Sequence, residues 1–273
     1  MNGVRLRTAA AGDETALRAL WREVFQDEES VMDAFFACLY APEDVLLAEN
    51  GGRLLSAAYL LRGVRLHTAD ACVPAAYFYA LATRPDCRGR GLGRTITGEC
   101  IRMAERRGET LCLMPGEESL RGWYAGVSGL RSFGTARELE SAACADPALT
   151  AAELSAGEYV RLREKLLSGT PHAELPTAFF RFQQALCALS GGALLRLRGA
   201  DGAEGLACCT CGEEVLFLPE LLWTGGAEIA AAALAAHFGL PRCTARLPGT
   251  EKPTVMGAGE ALRAPLWWGP VFD

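Results

Sequence analysis

The sequence predicts an α/β protein in which helices alternate with the strands of a mixed (α+β) sheet. Strand-like and helix-like periodicities follow each other in the order β-α-α-β-β-β-loop-α-β-α-β, and the second half of the chain repeats this order weakly. A chain of 273 residues, half of them hydrophobic, can bury a large core in one large domain or two moderate ones. We expect two domains, 1–145 and 146–273, packed together.

The first half has the clearest periodicities. Its predicted elements are a strand at 3–9, a helix after Asp13, a helix at 30–40, strands at 44–49, 53–61 and about 71–83, a helix at 92–107, a strand at 110–114, a helix at about 117–125 and a strand at about 132–144. Asn50-Gly51-Gly52 joins two of these strands, because glycine tolerates the positive φ of a hairpin turn. This half therefore contains three consecutive strands, with helices before and after them.

The second half shows the same order less clearly. Its predicted elements are helices at 156–168 and 177–190, strands at 193–198, 205–211 and 214–223, a helix at 227–238, and strands at 242–247 and 264–272. The segment 145–149 follows the last predicted strand of the first half and is therefore the best boundary. Trp267 and Trp268 would alternate on the terminal strand, which predicts one buried ring and one ring at an interface.

The most informative stretch is a basic glycine loop between a strand and a helix. It reads Arg84-Pro85-Asp86-Cys87-Arg88-Gly89-Arg90-Gly91-Leu92-Gly93 and follows an apolar run. Backbone N–H groups at a helix start, together with arginines in the loop, favour binding of a diphosphate. A Walker motif would need a lysine, and Gly93-Arg94-Thr95 has none. The alternative is a tight turn whose arginines are merely solvated.

Charge and cysteine usage argue against several classes of protein. The formal net charge of −6 argues against a general nucleic-acid-binding protein. The N-terminus has no apolar signal core and no stretch is long enough to span a membrane, so we expect a cytoplasmic protein without a membrane partner. The eleven cysteines are scattered apart from a cluster at 208–211, and His67, His172 and His237 share no ligand spacing. We therefore expect buried, reduced thiols and no metal site.

With strand, loop and helix in this order, the first half resembles the GNAT superfamily of acyl-CoA N-acyltransferases. The pyrophosphate signature of that family, Arg/Gln-x-x-Gly-x-Gly/Ala, is matched by residues 88–93. A second segment, with Trp123-Tyr124 followed by Gly129-Leu130, is similar to the family's fourth helix. The spacing from Tyr124 to Gly129 is one residue longer than the usual pattern, and Glu117 or Ser119 stands where an asparagine is common.

The resemblance covers about half of the chain and implies a GNAT fold for the N-terminal unit. The other half resembles a second GNAT-like unit that is degenerate, because Thr224-Gly225-Gly226 cannot supply the loop. Tandem GNAT proteins with one active and one degenerate unit include relatives of the mycobacterial enhanced intracellular survival proteins.

The same resemblance implies an N-acetyltransferase that uses acetyl-CoA as its cosubstrate. The cofactor would be held by the backbone of the splayed strand and by the loop, at Leu81, Ala82, Thr83, Arg88, Gly89, Arg90, Gly91, Leu92, Gly93 and Arg94. A backbone N–H near Leu81 would polarise the thioester carbonyl, and Tyr124 would protonate the leaving thiolate. Candidate bases that act through water are Glu28, Glu29, Asp33 and Glu49, with none preferred.

Several alternatives stay open at this point. Tyr77 and Tyr79 share an alternating face with Leu81, where they either line an acceptor pocket or pack in the core. Three functions are considered: transfer of an acetyl group to a primary amine of a small molecule or peptide, non-catalytic or regulatory acyl-CoA binding, and recognition of a macromolecular or peptide substrate by the degenerate half. The tryptophan pair and the missing cofactor loop favour the third. No nucleic-acid partner is expected, and a homodimer is left open.

Overall fold

The structure is a computed structural model that describes residues 3–258, 262, 265–270 and 272. Its backbone contacts divide the chain into two compact units. Unit 1 contains Met1–Leu66, Cys72–Phe133 and Val255–Arg263, and unit 2 contains His67–Ala71, Gly134–Thr254 and Ala264–Asp273. No helix in the described part of the chain is both long and apolar enough to cross a membrane.

The elements follow the sequence patterns closely. In chain order they are β1 (Arg5–Thr8), α1 (Glu14–Phe25), α2 (Glu29–Cys38), β2 (Val45–Asn50), β3 (Arg53–His67), β4 (Cys72–Thr83), α3 (Leu92–Arg106), β5 (Thr110–Leu113), α4 (Glu118–Ser128), β6 (Arg131–Ser132), β7 (Thr135–Ala142), β8 (Leu149–Glu153), α5 (Ala156–Leu166), β9 (His172–Glu174), α6 (Thr177–Leu189), β10 (Leu194–Gly199), β11 (Glu204–Cys211), β12 (Val215–Trp223), α7 (Ala227–His237), β13 (Arg242–Pro253) and β14 (Met256–Gly257).

The sheet of unit 1 has the strand order β1-β2-β3-β4-β5-β14-β6. Strands β4 and β5 are parallel, whereas β1 and β2, and β2 and β3, pair antiparallel. Helix α3 covers one face, where Ile96 and Cys100 are buried with Phe78 of β4. On the other face, Trp21 of α1 packs against Phe35 of α2, with ring centroids 4.6 Å apart. Burial of both faces holds β4 in the centre of the unit.

Unit 2 has a second sheet with the order β7-β13-β12-β11-β10-β8. Apart from β9, which lies between α5 and α6, its elements β8, α5, α6, β10, β11, β12, α7 and β13 follow one another as do β1, α1, α2, β2, β3, β4, α3 and β5 of unit 1. In both sheets the strands of this series are neighbours in chain order, and the last pair is parallel. The predicted mixed fold and its repeat of element order are therefore confirmed.

A buried charged cluster lies in unit 2, beyond the point where β12 and β13 stop pairing at Leu218 and Ala245. Glu220 is fully buried and accepts hydrogen bonds from Arg163 Nε (2.9 Å), Trp267 Nε1 (2.7 Å) and Tyr159 Oη (3.1 Å). Each of these donors comes from α5 or from the C-terminal segment. The Glu220 carboxylate accepts three hydrogen bonds from protein groups and needs no water as a partner. These groups therefore fill the space beyond the last β12–β13 pair.

The structure corrects three sequence-based expectations, which concern one predicted strand, three short strands that were not predicted, and the C-terminus. The predicted strand at 132–144 is interrupted: β6 belongs to the first sheet and β7 to the second, with Phe133 and Gly134 between them. The domain boundary proposed at 145/146 therefore lies inside unit 2, and the domains 1–145 and 146–273 stay a prediction. Strands β8, β9 and β14 were not predicted, and each has five residues or fewer.

The third correction concerns the C-terminus. Of the predicted strand at 264–272, Leu266 and Trp267 form isolated bridges to Gly134 and His172, and part of the range lies outside the described residues. Trp267 and Trp268 are both buried, with exposed fractions of 4% and 2%. The interface role predicted for one of them was therefore wrong, because the segment packs into unit 2 on both sides.

Candidate active site

Strand β4 separates from β5 halfway along its length. The two strands pair only from Ala75 to Tyr77, which face Thr110 to Cys112, and 78–83 have no pairing with β5 in the described structure. Such a split exposes backbone N–H and C=O groups along one edge of β4. An extended ligand can pair with these groups as a peptide pairs with a sheet edge.

A backbone irregularity at Ala80 redirects the side chains of β4. Ala80 has a φ of 49°, a region that residues with a Cβ atom rarely adopt. Tyr79 contacts Phe35 on the α1–α2 face, with ring centroids 5.5 Å apart, whereas Leu81 packs on the α3 face. The expectation that Tyr79 and Leu81 share a face was therefore wrong, because a bulge-like residue between them shifts the alternation by one.

The end of β4 is anchored to its neighbour β3. The hydroxyl of Ser56 donates to the Ala82 carbonyl oxygen at 2.6 Å and lies 2.7 Å from Thr83 Oγ1. The Thr83 carbonyl oxygen accepts from Arg88 Nε at 3.3 Å. The anchoring holds the strand end rigidly where the glycine loop begins.

The glycine loop turns from β4 into α3 at residues 84–91. Gly89 and Gly91 have φ values of 73° and 79°, which glycine adopts without strain. The first backbone bond of α3 runs from the N–H of Thr95 to the Gly91 carbonyl. The N–H groups of 92–94 therefore have no acceptor within the helix and form the positive end of its dipole.

A cavity of about 300 Å³ opens at this helix start. Its lining residues are Thr83, Cys87, Arg88, Gly89, Gly91, Leu92, Gly93, Arg94 and Trp123. Arg88, Arg90 and Arg94 are exposed, and among the described residues none of the three pairs with a carboxylate. Positive side chains and free backbone N–H groups meet in one concave surface, which is the chemistry that a diphosphate requires.

Trp123 was not predicted as a site residue. It is 37% exposed, lies on α4, and borders the cavity close to Gly93. The signal in the sequence was its place directly before Tyr124, where helical periodicity turns one of the two rings outward. An exposed indole at a cavity wall offers an apolar surface to a ligand.

Tyr124 is buried beneath this wall. Its ring packs edge-on against Trp123 and Phe78, with centroid distances of 4.8 Å and 6.4 Å. Burial raises the pKa of Tyr124 to about 12, because the phenolate would be poorly solvated there. The hydroxyl therefore carries its proton at neutral pH, as a general acid must.

The four candidate bases lie apart from the cavity lining. Three of them form ion pairs with arginines: Glu49 with Arg7 (2.9 Å), Asp33 with Arg18 (2.8 Å) and Glu29 with Arg22 (2.8 Å). Glu28 is exposed and accepts from Ser30 Oγ at 3.4 Å. The ion pairs direct the carboxylates of Glu29, Asp33 and Glu49 at arginines, so the geometry favours none of the three as the base.

Comparison with known proteins agrees with this geometry. The family model described as "Acetyltransferase (GNAT) domain" matches residues 5–124, a range that contains the split strand, the glycine loop and Tyr124. No curated protein shows significant sequence similarity to this chain.

Solved structures of similar fold cover nearly the whole chain. A GCN5-related N-acetyltransferase from Anabaena variabilis superposes with a TM-score of 0.71 at 11% identity, over 93% of this chain and 72% of that one. One from Kribbella flavida gives 0.68 at 15% identity, over 93% and 70%. Eis1 from Mycobacterium abscessus gives 0.61 at 14% identity, over 94% and 71%.

At these identities the solved structures establish the fold, and the family match establishes the class of the first unit. Residues 5–124 therefore form a GNAT acetyltransferase domain, and the second unit of the chain repeats the element order of the first.

Proposed function

We propose that this protein transfers the acetyl group of acetyl-CoA to a primary amine of a small molecule or peptide. The observation that carries the proposal is the cavity at the start of α3, where exposed arginines and unpaired N–H groups surround a space next to the split strand. Its positive charge suits a diphosphate, and the adjacent strand edge suits the amide-rich pantetheine arm.

Each part of acetyl-CoA has a proposed binding surface. The diphosphate binds the N–H groups of the loop and helix start, at Arg88, Gly89, Arg90, Gly91, Leu92, Gly93 and Arg94. The pantetheine arm pairs with backbone groups of 81–83. Trp123 provides an apolar wall beside the loop. The space next to Gly91 is open, because a Cβ atom added there would meet no atom within 4 Å.

The chemistry follows from the polarity of the split strand. A neutral amine attacks the thioester carbon, its carbonyl oxygen accepts a hydrogen bond from an N–H near Leu81, and the C–S bond breaks as the C–N bond forms. Tyr124 donates its phenolic proton to the departing thiolate, and the excess proton of the amine returns to the phenolate through water. The products are an N-acetylated amine and free coenzyme A.

The test combines a binding titration with a thiol assay. Acetyl-CoA should bind the wild type, and a panel of primary amines should release free thiol faster than hydrolysis does. Arg88→Ala should weaken acetyl-CoA binding, whereas Arg106→Ala, an exposed arginine at the far end of α3, should leave binding unchanged. Equal affinities in the two variants would contradict the proposed site, and binding without turnover would favour a non-catalytic acyl-CoA-binding protein.

A further inference from the structure

Two histidines that are distant in the sequence meet in unit 2. His67 is the last residue of β3, and His172 is the first residue of β9; their rings stack with centroids 5.0 Å apart and planes 21° apart. Glu164 of α5 lies beside them, and one ligand atom from each of the three side chains lies within 4.8 Å of the others. We propose that His67, His172 and Glu164 bind a divalent transition-metal ion, Zn²⁺ by preference.

The hydrogen bonds of His172 define which nitrogen faces the site. Its Nδ1 lies 2.7 Å from the carbonyl oxygen of Thr170, which can only accept, so Nδ1 carries the proton. In the neutral ring Nε2 then carries a lone pair and no proton. It lies 2.9 Å from Glu164 Oε2, which also has only lone pairs to offer. Two such atoms repel each other unless a cation, either a proton or a metal ion, lies between or beside them.

His67 has a complementary partner. Its Nε2 lies 2.8 Å from Glu174 Oε2, and a proton on Nε2 leaves Nδ1 with a lone pair. Metal-bound histidines commonly donate their other N–H to a carboxylate or to a backbone carbonyl. Glu174 and the Thr170 carbonyl are such partners for His67 and His172, so each imidazole has the outer hydrogen bond that a ligand needs.

The third ligand is oriented from its other side. Arg163 Nη1 holds Glu164 Oε1 at 3.1 Å, which leaves Oε2 directed at His172. The charge of Arg163 is balanced by the buried Glu220, 2.9 Å from its Nε. The ligand carboxylate of Glu164 and the outer carboxylate of Glu174 therefore supply negative charge that a divalent cation would neutralise.

The dimensions suit tetrahedral zinc. Ligand atoms about 2.0–2.2 Å from zinc lie roughly 3.4 Å apart in a tetrahedron. The 2.9 Å between His172 Nε2 and Glu164 Oε2 is about 0.5 Å shorter than that separation, and the three ligand atoms all lie within 4.8 Å of one another. Side chains of His67 and Glu164 are 34% and 28% exposed, so an ion and a water as fourth ligand can reach the site. Imidazole and carboxylate ligands suit zinc, nickel and cobalt.

Bound metal would join three segments of unit 2: residues 67–71, helix α5 and strand β9. Because the ion binds only when these segments are together, its binding free energy adds to the stability of the folded unit. This role is separate from acetyl transfer, so the proposed site succeeds or fails independently of the proposed activity.

The test uses the full chain after removal of metal with a chelator, titrated with ZnCl₂ by calorimetry. We expect one equivalent to bind and the unfolding temperature to rise. His67→Gln, at a half-exposed position, should abolish this equivalent while keeping the far-ultraviolet circular dichroism of the wild type. Glu174→Gln should weaken the affinity about 10- to 100-fold, as loss of an outer hydrogen bond does. His237→Gln on α7, outside the cluster, should bind like the wild type.

Cobalt separates this site from the cysteines. The Co²⁺-loaded wild type should show tetrahedral d–d bands without the near-ultraviolet charge-transfer band of thiolate ligands. Unchanged zinc stoichiometry in both His67→Gln and His172→Gln, a cobalt spectrum dominated by thiolate, or no zinc binding by the wild type would each overturn the proposal.

Discussion

At the scale of single residues, Tyr124 is buried and the pKa of its hydroxyl is raised. We predict that Tyr124→Phe lowers kcat by about 100-fold, the usual contribution of a general acid, without changing the Kd for acetyl-CoA. Because the pKa of Tyr124 is raised to about 12, the tyrosine stays protonated up to about pH 10, so kcat of the two proteins should vary with pH in the same way up to that pH. Steady-state kinetics across this pH range check both statements.

The control is the ring itself, since phenylalanine keeps the contacts with Trp123 and Phe78. A decline in wild-type kcat below pH 10 that is absent in the variant would show that Tyr124 titrates much lower than its burial implies. An unchanged kcat in the variant would assign the proton donor to another group.

Residue-level prediction from the sequence was possible where the determinant was local. The glycines and arginines of the loop lie within a few positions of one another, between a predicted strand and a predicted helix, so the sequence indicated a phosphate site there, which stays a prediction. The redirection at Ala80 and the meeting of His67 with His172 depend on backbone irregularity and on pairing between distant segments. Neither feature produces a periodic pattern in the sequence. For this reason the different faces of Tyr79 and Leu81 were not predicted, and neither was the contact between the two histidines.

At the scale of elements, the start of α3 can be tested against its own end. Gly91 and Gly108 flank this helix and have φ values of 79° and 69°, and a Cβ atom added to either would meet no atom within 4 Å. Alanine at either site should cost a similar amount of stability, about 1 kcal/mol, because both adopt the left-handed region. We predict that only Gly91→Ala weakens acetyl-CoA binding, measured by calorimetry beside thermal unfolding of both variants.

If both variants bind acetyl-CoA like the wild type, the open space at Gly91 is not part of the cofactor site. If both bind weakly, the effect comes from the stability of α3 and not from the loop.

In unit 2, the position that corresponds to the split between β4 and β5 is occupied by the buried Glu220 cluster. Glu220 lies two residues beyond the last parallel pair of β12, as Tyr79 does in β4. Breaking a buried ion pair by removing one charge is expected to destabilise a protein by about 3–5 kcal/mol. We predict such a loss for Glu220→Gln, measured by denaturant unfolding, and little change for Glu214→Gln, whose pair with Arg242 is exposed.

Comparable unfolding midpoints for the two glutamine variants would mean that Arg163 finds other partners when Glu220 is neutral. The Glu220 cluster was not predicted from the sequence, because its four members come from α5, β12 and the C-terminal segment. Their proximity follows only from the sheet topology.

At the scale of the whole molecule, the repeat predicts how many cofactors bind. Unit 1 joins β4 to α3 through residues 84–91, whereas unit 2 joins β12 to α7 through only 224–226. The shorter connection has no arginine, and the neighbouring opening is filled by Glu220 and its donors. We predict one equivalent of acetyl-CoA per chain by calorimetry, lost in Gly91→Ala at concentrations that saturate the wild type.

Two equivalents of acetyl-CoA in the wild type, one of which persists in Gly91→Ala, would contradict the view that unit 2 lacks a cofactor site. At this scale the order of elements was predictable, because helical and strand periodicities are repeated in both halves. The path of the chain between the sheets was not, since a two-residue strand such as β14 has too few residues for a pattern.

The interleaved path has a consequence for biogenesis. Strand β14 lies between β5 and β6, so the sheet of the first unit lacks an inner member until residues 256 and 257 have been made. In a growing chain, the edges of β5 and β6 that pair with β14 therefore stay unpaired until the segment between β6 and β14 has been translated. Synthesis of residues 256 and 257, rather than of the first half, therefore sets the earliest moment at which this sheet can close.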